Sequence, residues 1–231
     1  MTSRIRIGVA LAFGLCASSF ANTLVYQPSL GTLPQAQGWT FDGNFSAPMS
    51  VSGGVLTYGT TSTPNTTYWG HQPTDTINFA TDTASISADI RLNGTDFGNI
   101  SGFRRGGFSL YLEDDFGNYI IADLGDNNIS LGNDNTRLND PVASFDLHTD
   151  FHVVRLEAGP TGGRLYVDGV LQLSLALGGS AGGGAVGSWG EMSILTRSVS
   201  TEVRSVQYIP APGSALLSLG GIALVGTRRR R

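Results

Sequence analysis

Polar and apolar residues alternate repeatedly between positions 23 and 208, and a helical period is nearly absent there. In ASISADIRLN, Ala84, Ile86, Ala88, Ile90 and Leu92 fall on one side, and Ser85, Ser87, Asp89 and Arg91 on the other. Successive side chains of a strand point to opposite faces, so this pattern predicts a half-buried strand with a polar outer face. GFSLYLED repeats it with Phe108, Leu110 and Leu112. FHVVRLEAG does so with Val154, Leu156 and Ala158 opposite Arg155 and Glu157. In GRLYVDGVLQLSL, Asp168-Gly169 separates Leu165 and Val167 from Leu171, Leu173 and Leu175. Asp-Gly tolerates the positive φ angles of a type I′ turn, which predicts a β-hairpin. EAGPTGGRL predicts another reversal just before it. Further strands are expected over 55–58, 118–123, 192–196 and 202–208, and the glycine-rich 178–187 reads as an exposed loop. Many short strands with Gly, Asn and Asp turns predict an all-β, two-sheet antiparallel sandwich, with a barrel as the alternative.

The two ends break this pattern. Arg4 and Arg6, an apolar run over 7–15, and small residues at Ser19 and Ala21 have the layout of a secretory signal peptide over 1–21. The run is short for a ~30 Å hydrocarbon layer, which argues for a signal helix that is cut rather than a retained span. Cys16, the single cysteine, would leave with it, and Leu15 stands where a lipidation signal wants a small residue. At the other end Pro210 and Pro212 stop strand pairing, an apolar stretch follows, and Arg228, Arg229, Arg230 and Arg231 close the chain. A helix there covers only ~22 Å, marginal as a permanent anchor, and the arginines would stay cytoplasmic.

The body between, 22–209, holds eight of the 14 arginines and all 18 acids, a net charge of −10, and there is no lysine. Phosphate binding needs a positive field, so nucleic acid is excluded as a partner. With Cys16 gone the body has no disulfide, and its stability must come from packing and sheet pairing.

The run FHVVRLEAGPTGGRLYVDGVLQLSL resembles the late strands of laminin-G-like and concanavalin A-like jelly rolls, where a valine-rich strand precedes an LYVDG hairpin. The order of WTFDGNF, ASISADIRL, this hairpin and the closing TEVRSVQYI is similar too, over about 36–208. The resemblance implies a jelly-roll sandwich of a mostly glycan-binding and adhesive family that includes some glycoside hydrolases. The tail strongly resembles the PEP-CTERM sorting signal of bacteria, with Pro210-Ala211-Pro212 in the motif position, a hydrophobic helix and a basic cluster over 210–231. Ala211 replaces the glutamate of that motif. The resemblance implies transient inner-membrane contact, an exosortase-type membrane processing enzyme as partner, and delivery to the cell surface or outside. A plain tail anchor or a terminal core helix is the alternative.

Candidate chemistry is sparse. Glycoside hydrolysis usually needs two carboxylates about 5–9.5 Å apart. Glu113, Glu157, Glu191 and Glu202 fall in no E-x-D-x-E pattern, and the acidic cluster over 113–118 reads as a turn. His71, His148 and His152 sit in no catalytic spacing. The stretch 122–140 gathers Asp123, Asp126, Asn127, Asn128, Asp134, Asn135 and Asp140. Calcium takes six to eight oxygens and Asx-rich loops supply them, so Asp123, Asp126, Asn128 and Asp134 are the candidate ligands; ordinary turns use the same residues. For a sugar, an exposed aromatic with nearby amides is the usual design, and TTYWGHQ offers Tyr68, Trp69, His71 and Gln72. Trp69 is equally compatible with packing, as are Trp39 and Trp189. The leading expectation is an exported, non-enzymatic glycan-binding or adhesion module of a surface or matrix polysaccharide. A divergent jelly-roll glycoside hydrolase and a purely structural matrix component are the alternatives.

Overall fold

The computed structural model describes residues 23–43, 49–60, 66–71, 76–94, 98–100, 103–105, 107–133, 140–179, 187–192 and 199–210. Among them the strands are β1 (Leu24–Tyr26), β2 (Thr40–Gly43), β3 (Met49–Ser52), β4 (Val55–Thr60), β5 (Thr66–Gly70) and β6 (Ala84–Asn93). Next come β7 (Gly98–Ile100), β8 (Phe103–Arg105), β9 (Phe108–Glu113), β10 (Asn118–Leu124), β11 (Asn128–Gly132) and β12 (Val142–Ser144). The last are β13 (His152–Gly159), β14 (Gly162–Val167), β15 (Val170–Leu175), β16 (Gly178–Gly179), β17 (Ser188–Met192) and β18 (Val199–Ile209). Two short 3-10 turns, Pro28–Leu30 and Pro34–Gln37, are the helical pieces among the described residues.

Two eight-stranded antiparallel sheets form. The first runs β15-β14-β13-β6-β18-β4-β3, with β1 beside β18. The second runs β12-β11-β10-β9-β17-β5-β2, with β16 beside β10. β7 and β8 pair separately as a hairpin. The all-β two-sheet sandwich is therefore as the alternation predicts. β6 alternates buried and half-buried residues over its whole length. Ile86, Ile90, Leu92, Val154 and Leu156 are buried on one side, and Phe108, Leu110, Leu112, Ile120 and Leu124 meet them from the other. The hairpin of β14 and β15 turns at Asp168 and Gly169, both with positive φ, 50° and 80°. The Pro160-Thr161 reversal joins β13 to β14, with Gly159 opposite Gly162.

An aromatic centre joins the layers. Trp189 of β17 has five rings around it at centroid distances of 5.8–6.1 Å: Tyr26, Trp39, Tyr58, Trp69 and Phe108. Such pairs stabilise by about 0.5–1.5 kcal/mol beyond the area they bury. The sheets pack tightly at Gly163, where an added Cβ would lie 2.4 Å from Ile120 Cγ1.

Two expectations need correction, and one strand is unexpected. Thr66–Gly70 is the unexpected strand β5, where Trp69 finds a core partner on each side. Asn128–Gly132 is the strand β11 inside the Asx-rich stretch, because Ile129 and Leu131 alternate into the core. Gly178 and Gly179 are not in an open loop; they pair with Tyr119 and Asn118. The 192–196 expectation meets the described strand β17 at Met192, and 193–196 lie outside the described residues.

Candidate functional site

The outer face of the second sheet carries the polar chemistry. Alternation dictates this: Trp69, Trp189, Leu110, Ala122 and Ile129 face the core, so their neighbours in each strand face outward. One row runs Tyr68, Gly190, Ser109, Asp123 and Ser130 across five strands. The next runs Gly70, Ser188, Tyr111, Ile121 and Gly132.

The two halves of this face differ. Over β9, β10 and β11 it is closed: Ser109, Asp123 and Ser130 are buried, and the Ser109 hydroxyl donates to Asp123 Oδ1 at 2.6 Å. Over β5 it opens. A Cβ added to Gly70 would meet nothing within 4 Å. Tyr68 and Tyr111 are half-buried near this opening, and Ser188, itself buried, lies between their strands. Two strand steps of ~4.8 Å and a two-residue offset set the tyrosines about 12 Å apart, the length of a disaccharide. The Tyr111 hydroxyl donates to Glu113 Oε2 at 2.7 Å, and its ring leans on Tyr119 at 5.8 Å. These contacts hold one wall of the trough in place.

The sugar candidates separate on this geometry. Tyr68 lies on the open face. Trp69, one residue on, is fully buried against Trp189 and Phe41, so its role as an exposed platform is corrected: it is a core residue. His71 follows the strand. Its backbone N–H donates to the Gly187 carbonyl at 2.9 Å, and its ring packs on Tyr208 of the core at 5.8 Å. Burial pushes its pKa below the ordinary histidine value. Gln72 lies outside the described residues. Tyr111, Ser188 and Gly70 escaped the sequence reading, since each belongs to the site only through strand pairing.

Among the described residues the calcium candidates are not gathered into one cluster. Asp123 is buried mid-strand with its carboxylate engaged by Ser109. Asp126 is at the β10–β11 turn, where it accepts from Asn127 Nδ2 at 3.2 Å. Asn128 shares the outer face with Asp123, and its buried Oδ1 has no hydrogen-bond partner. Asp134 lies outside the described residues. Among the described residues no cluster of three His, Cys, Asp or Glu can hold a metal ion.

Among the described side chains of this face, Asp123 and Glu113 do not form a carboxylate pair for hydrolysis. Asp123 pairs with Ser109, and Glu113 lies four residues further along the same strand, about 13 Å away by strand rise. That exceeds the separation both glycosidase mechanisms use. Asp114, in the expected 113–118 turn, is buried and structural. Its carboxylate accepts from the backbone N–H groups of Phe79, Phe116 and Asn118 and from Asn118 Nδ2, at 2.8–3.0 Å. Of the sorting motif, Pro210 is described and buried, directly after β18, while Ala211, Pro212 and Arg228 to Arg231 lie outside the described residues. No helix among the described residues is long and apolar enough to cross a membrane.

No protein-family model matches the chain, and no curated protein matches it in sequence. Among solved structures it is similar to the conserved carbohydrate esterase of the Shiga toxin-encoding bacteriophage phi24B. The TM-score is 0.55 at 15% identity, over 82% of this chain and 98% of that one. It is also similar to the metal-free carbohydrate recognition domain of Emp46p, with a TM-score of 0.48, 13% identity, and coverage of 77% and 91%. The first likeness shows a shared two-sheet sandwich of the jelly-roll kind.

Proposed function

We propose that this chain is a non-enzymatic module that holds a glycan in the trough over Gly70, between Tyr68 and Tyr111. The open space at Gly70 carries this reading: a Cβ there would meet nothing within 4 Å, and the half-buried Tyr68 and Tyr111 stand near it on the same face. Sugar rings present C–H faces to aromatic rings and hydroxyls to polar groups, and an apolar platform with few placed polar groups suits them. The wide separation of Asp123 and Glu113 supports binding over hydrolysis. Calcium has no part in this reading.

The setting belongs to the proposal too. The signal-like 1–21 and the PEP-CTERM-like 210–231 support export through the inner membrane, exosortase-type processing, and residence at the cell surface or in the extracellular matrix. Surface or matrix polysaccharide is then the partner.

The test is a glycan array probed with the full chain and with its Tyr68→Ala and Tyr111→Ala variants. Binding to a restricted set of glycans, reduced by about tenfold in either variant, supports the trough. Binding by none, or equal binding by all three proteins, removes it and leaves a purely structural matrix role.

A further inference from the structure

A second site lies on the opposite side of the sandwich, on the outer face of the first sheet. β18 has a bulge there. Val203 pairs with Ile90 and Ser205 with Asp89, so Arg204 is the extra residue and has no place in the ladder. Bulges re-aim a side chain, and this one sends the exposed Arg204 onto a ring. Its Cζ lies 3.6 Å from the centroid of Phe151. Arg91 approaches the same ring, with its Cζ at 5.0 Å. One phenyl ring therefore collects two guanidinium groups.

The other arginines on this face are neutralised. Arg91 donates through Nε and Nη2 to Glu202 Oε2, at 3.0 and 2.5 Å. Arg155 and Arg164 share the two oxygens of Glu157, at 2.6 and 3.3 Å. Arg204 has no carboxylate within ion-pair distance among the described residues. Asp89, beneath it, is close enough only for its charge to be felt. The exposed face of this unpaired guanidinium retains planar N–H donors whose fork matches a carboxylate, and stacking on a ring removes much of the entropy cost of using them. Next to it Val153, 48% exposed, lies two residues from Phe151 and continues an apolar surface.

We infer that Arg204, seated on Phe151, recognises a carboxylate borne on a sugar ring: one uronate residue of an acidic polysaccharide, its C–H face against Phe151 and Val153. A polyphosphate is the poorer fit, since the body carries a net −10 and a phosphate chain needs an extended positive field. A single carboxylate per ring needs only one fork. The inference does not depend on the trough, which lies in the other sheet.

The experiment is calorimetric titration of the full chain with a short oligomer of galacturonate and with its methyl ester. Wild type is compared with Arg204→Gln, Arg204→Lys, Phe151→Leu and Tyr68→Ala. The expected result is binding of the acid, at least about tenfold weaker binding of the ester, and a similar loss in Arg204→Gln. Arg204→Lys should fall between, having the charge without the fork, and Tyr68→Ala should bind the acid as wild type does. Arg204 is exposed and outside the ladder, so its variants should melt with wild type even if Phe151→Leu does not fold. No binding of the acid by wild type overturns the inference. So does equal binding of acid and ester, or of wild type and Arg204→Gln.

Discussion

Trp69 and Trp189 are cross-strand partners in the middle of the second sheet, with ring centroids 6.1 Å apart and planes at 31°. Both are fully buried, and neither indole N–H has a hydrogen-bond acceptor. Replacing Trp69 by Ala should cost about 3–5 kcal/mol, from lost contacts and the cavity left behind. Phe at this position should cost much less, since it retains a ring and removes an unpaired donor whose burial costs about 1–3 kcal/mol. Denaturant midpoints of the two variants measure the difference. A Trp69→Ala protein as stable as wild type would contradict the core assignment.

That pair also shows where the sequence stops being legible. β6 and the Asp168-Gly169 hairpin can be read directly, because one face of each is continuously apolar and the turn chemistry is local. β5 cannot. In Thr-Thr-Tyr-Trp-Gly the single large apolar side chain that enters the core looks the same as an exposed platform until Trp189 is known to lie opposite. β11 is hidden for a related reason. Only Ile129 and Leu131 mark it, amid Asx residues that usually mean turns. The trough is a property of pairing across three strands, and no single stretch of chain contains it.

Asp114 gives a test of buried acid used as a structural cap. Its carboxylate serves three backbone N–H groups, of Phe79, Phe116 and Asn118, that tie the β9–β10 turn to the segment before β6. Asp114→Ala leaves all three donors without an acceptor. The expected loss is about 2–4 kcal/mol, because buried unmet donors cost more than the net worth of the bonds. Asp114→Asn should lose less, since one side-chain oxygen remains. Thermal melts at neutral pH rank the variants, and a ranking with Ala above Asn would refute the capping role.

Gly163 tests the packing between sheets. A Cβ there would lie 2.4 Å from Ile120 Cγ1 and 2.7 Å from its Cδ1. Gly163→Ala should destabilise by about 1–3 kcal/mol through overpacking. The double variant with Ile120→Val should recover part of that loss, because it removes Cδ1, one of the two clashing atoms, and leaves a shorter side chain that can turn away. Chemical denaturation of the single and double variants gives the coupling. Additive losses would mean that the two side chains do not meet.

Asp89 and Asp168 flank His152 and titrate in opposite directions. Burial raises the Asp89 pKa, only partly offset by Arg204. Burial also acts to raise Asp168, but the hydrogen bonds from His152 and from the Val153 N–H outweigh it, and the pKa is lowered. His152 Nδ1 is 2.7 Å from Asp168 Oδ2. A lowered carboxyl pKa contributes stability that is present above the ordinary carboxylate range and is lost as pH falls through the folded-state value. A raised one does the reverse: its penalty is absent in acid and accumulates as pH rises through that range. Asp168→Asn should therefore lower the melting temperature near neutral pH, by an amount that shrinks as pH falls below the ordinary carboxylate range. Asn also accepts the positive φ of that turn position, so the backbone is not the cause. Asp89→Asn should raise the melting temperature at neutral pH and do nothing in acid. Both changes should be small, under about 1 kcal/mol for the half-exposed Asp168, because solvent screens it. Melting curves across this pH range for the three proteins decide the matter, and two variants shifting in the same direction at neutral pH would contradict it.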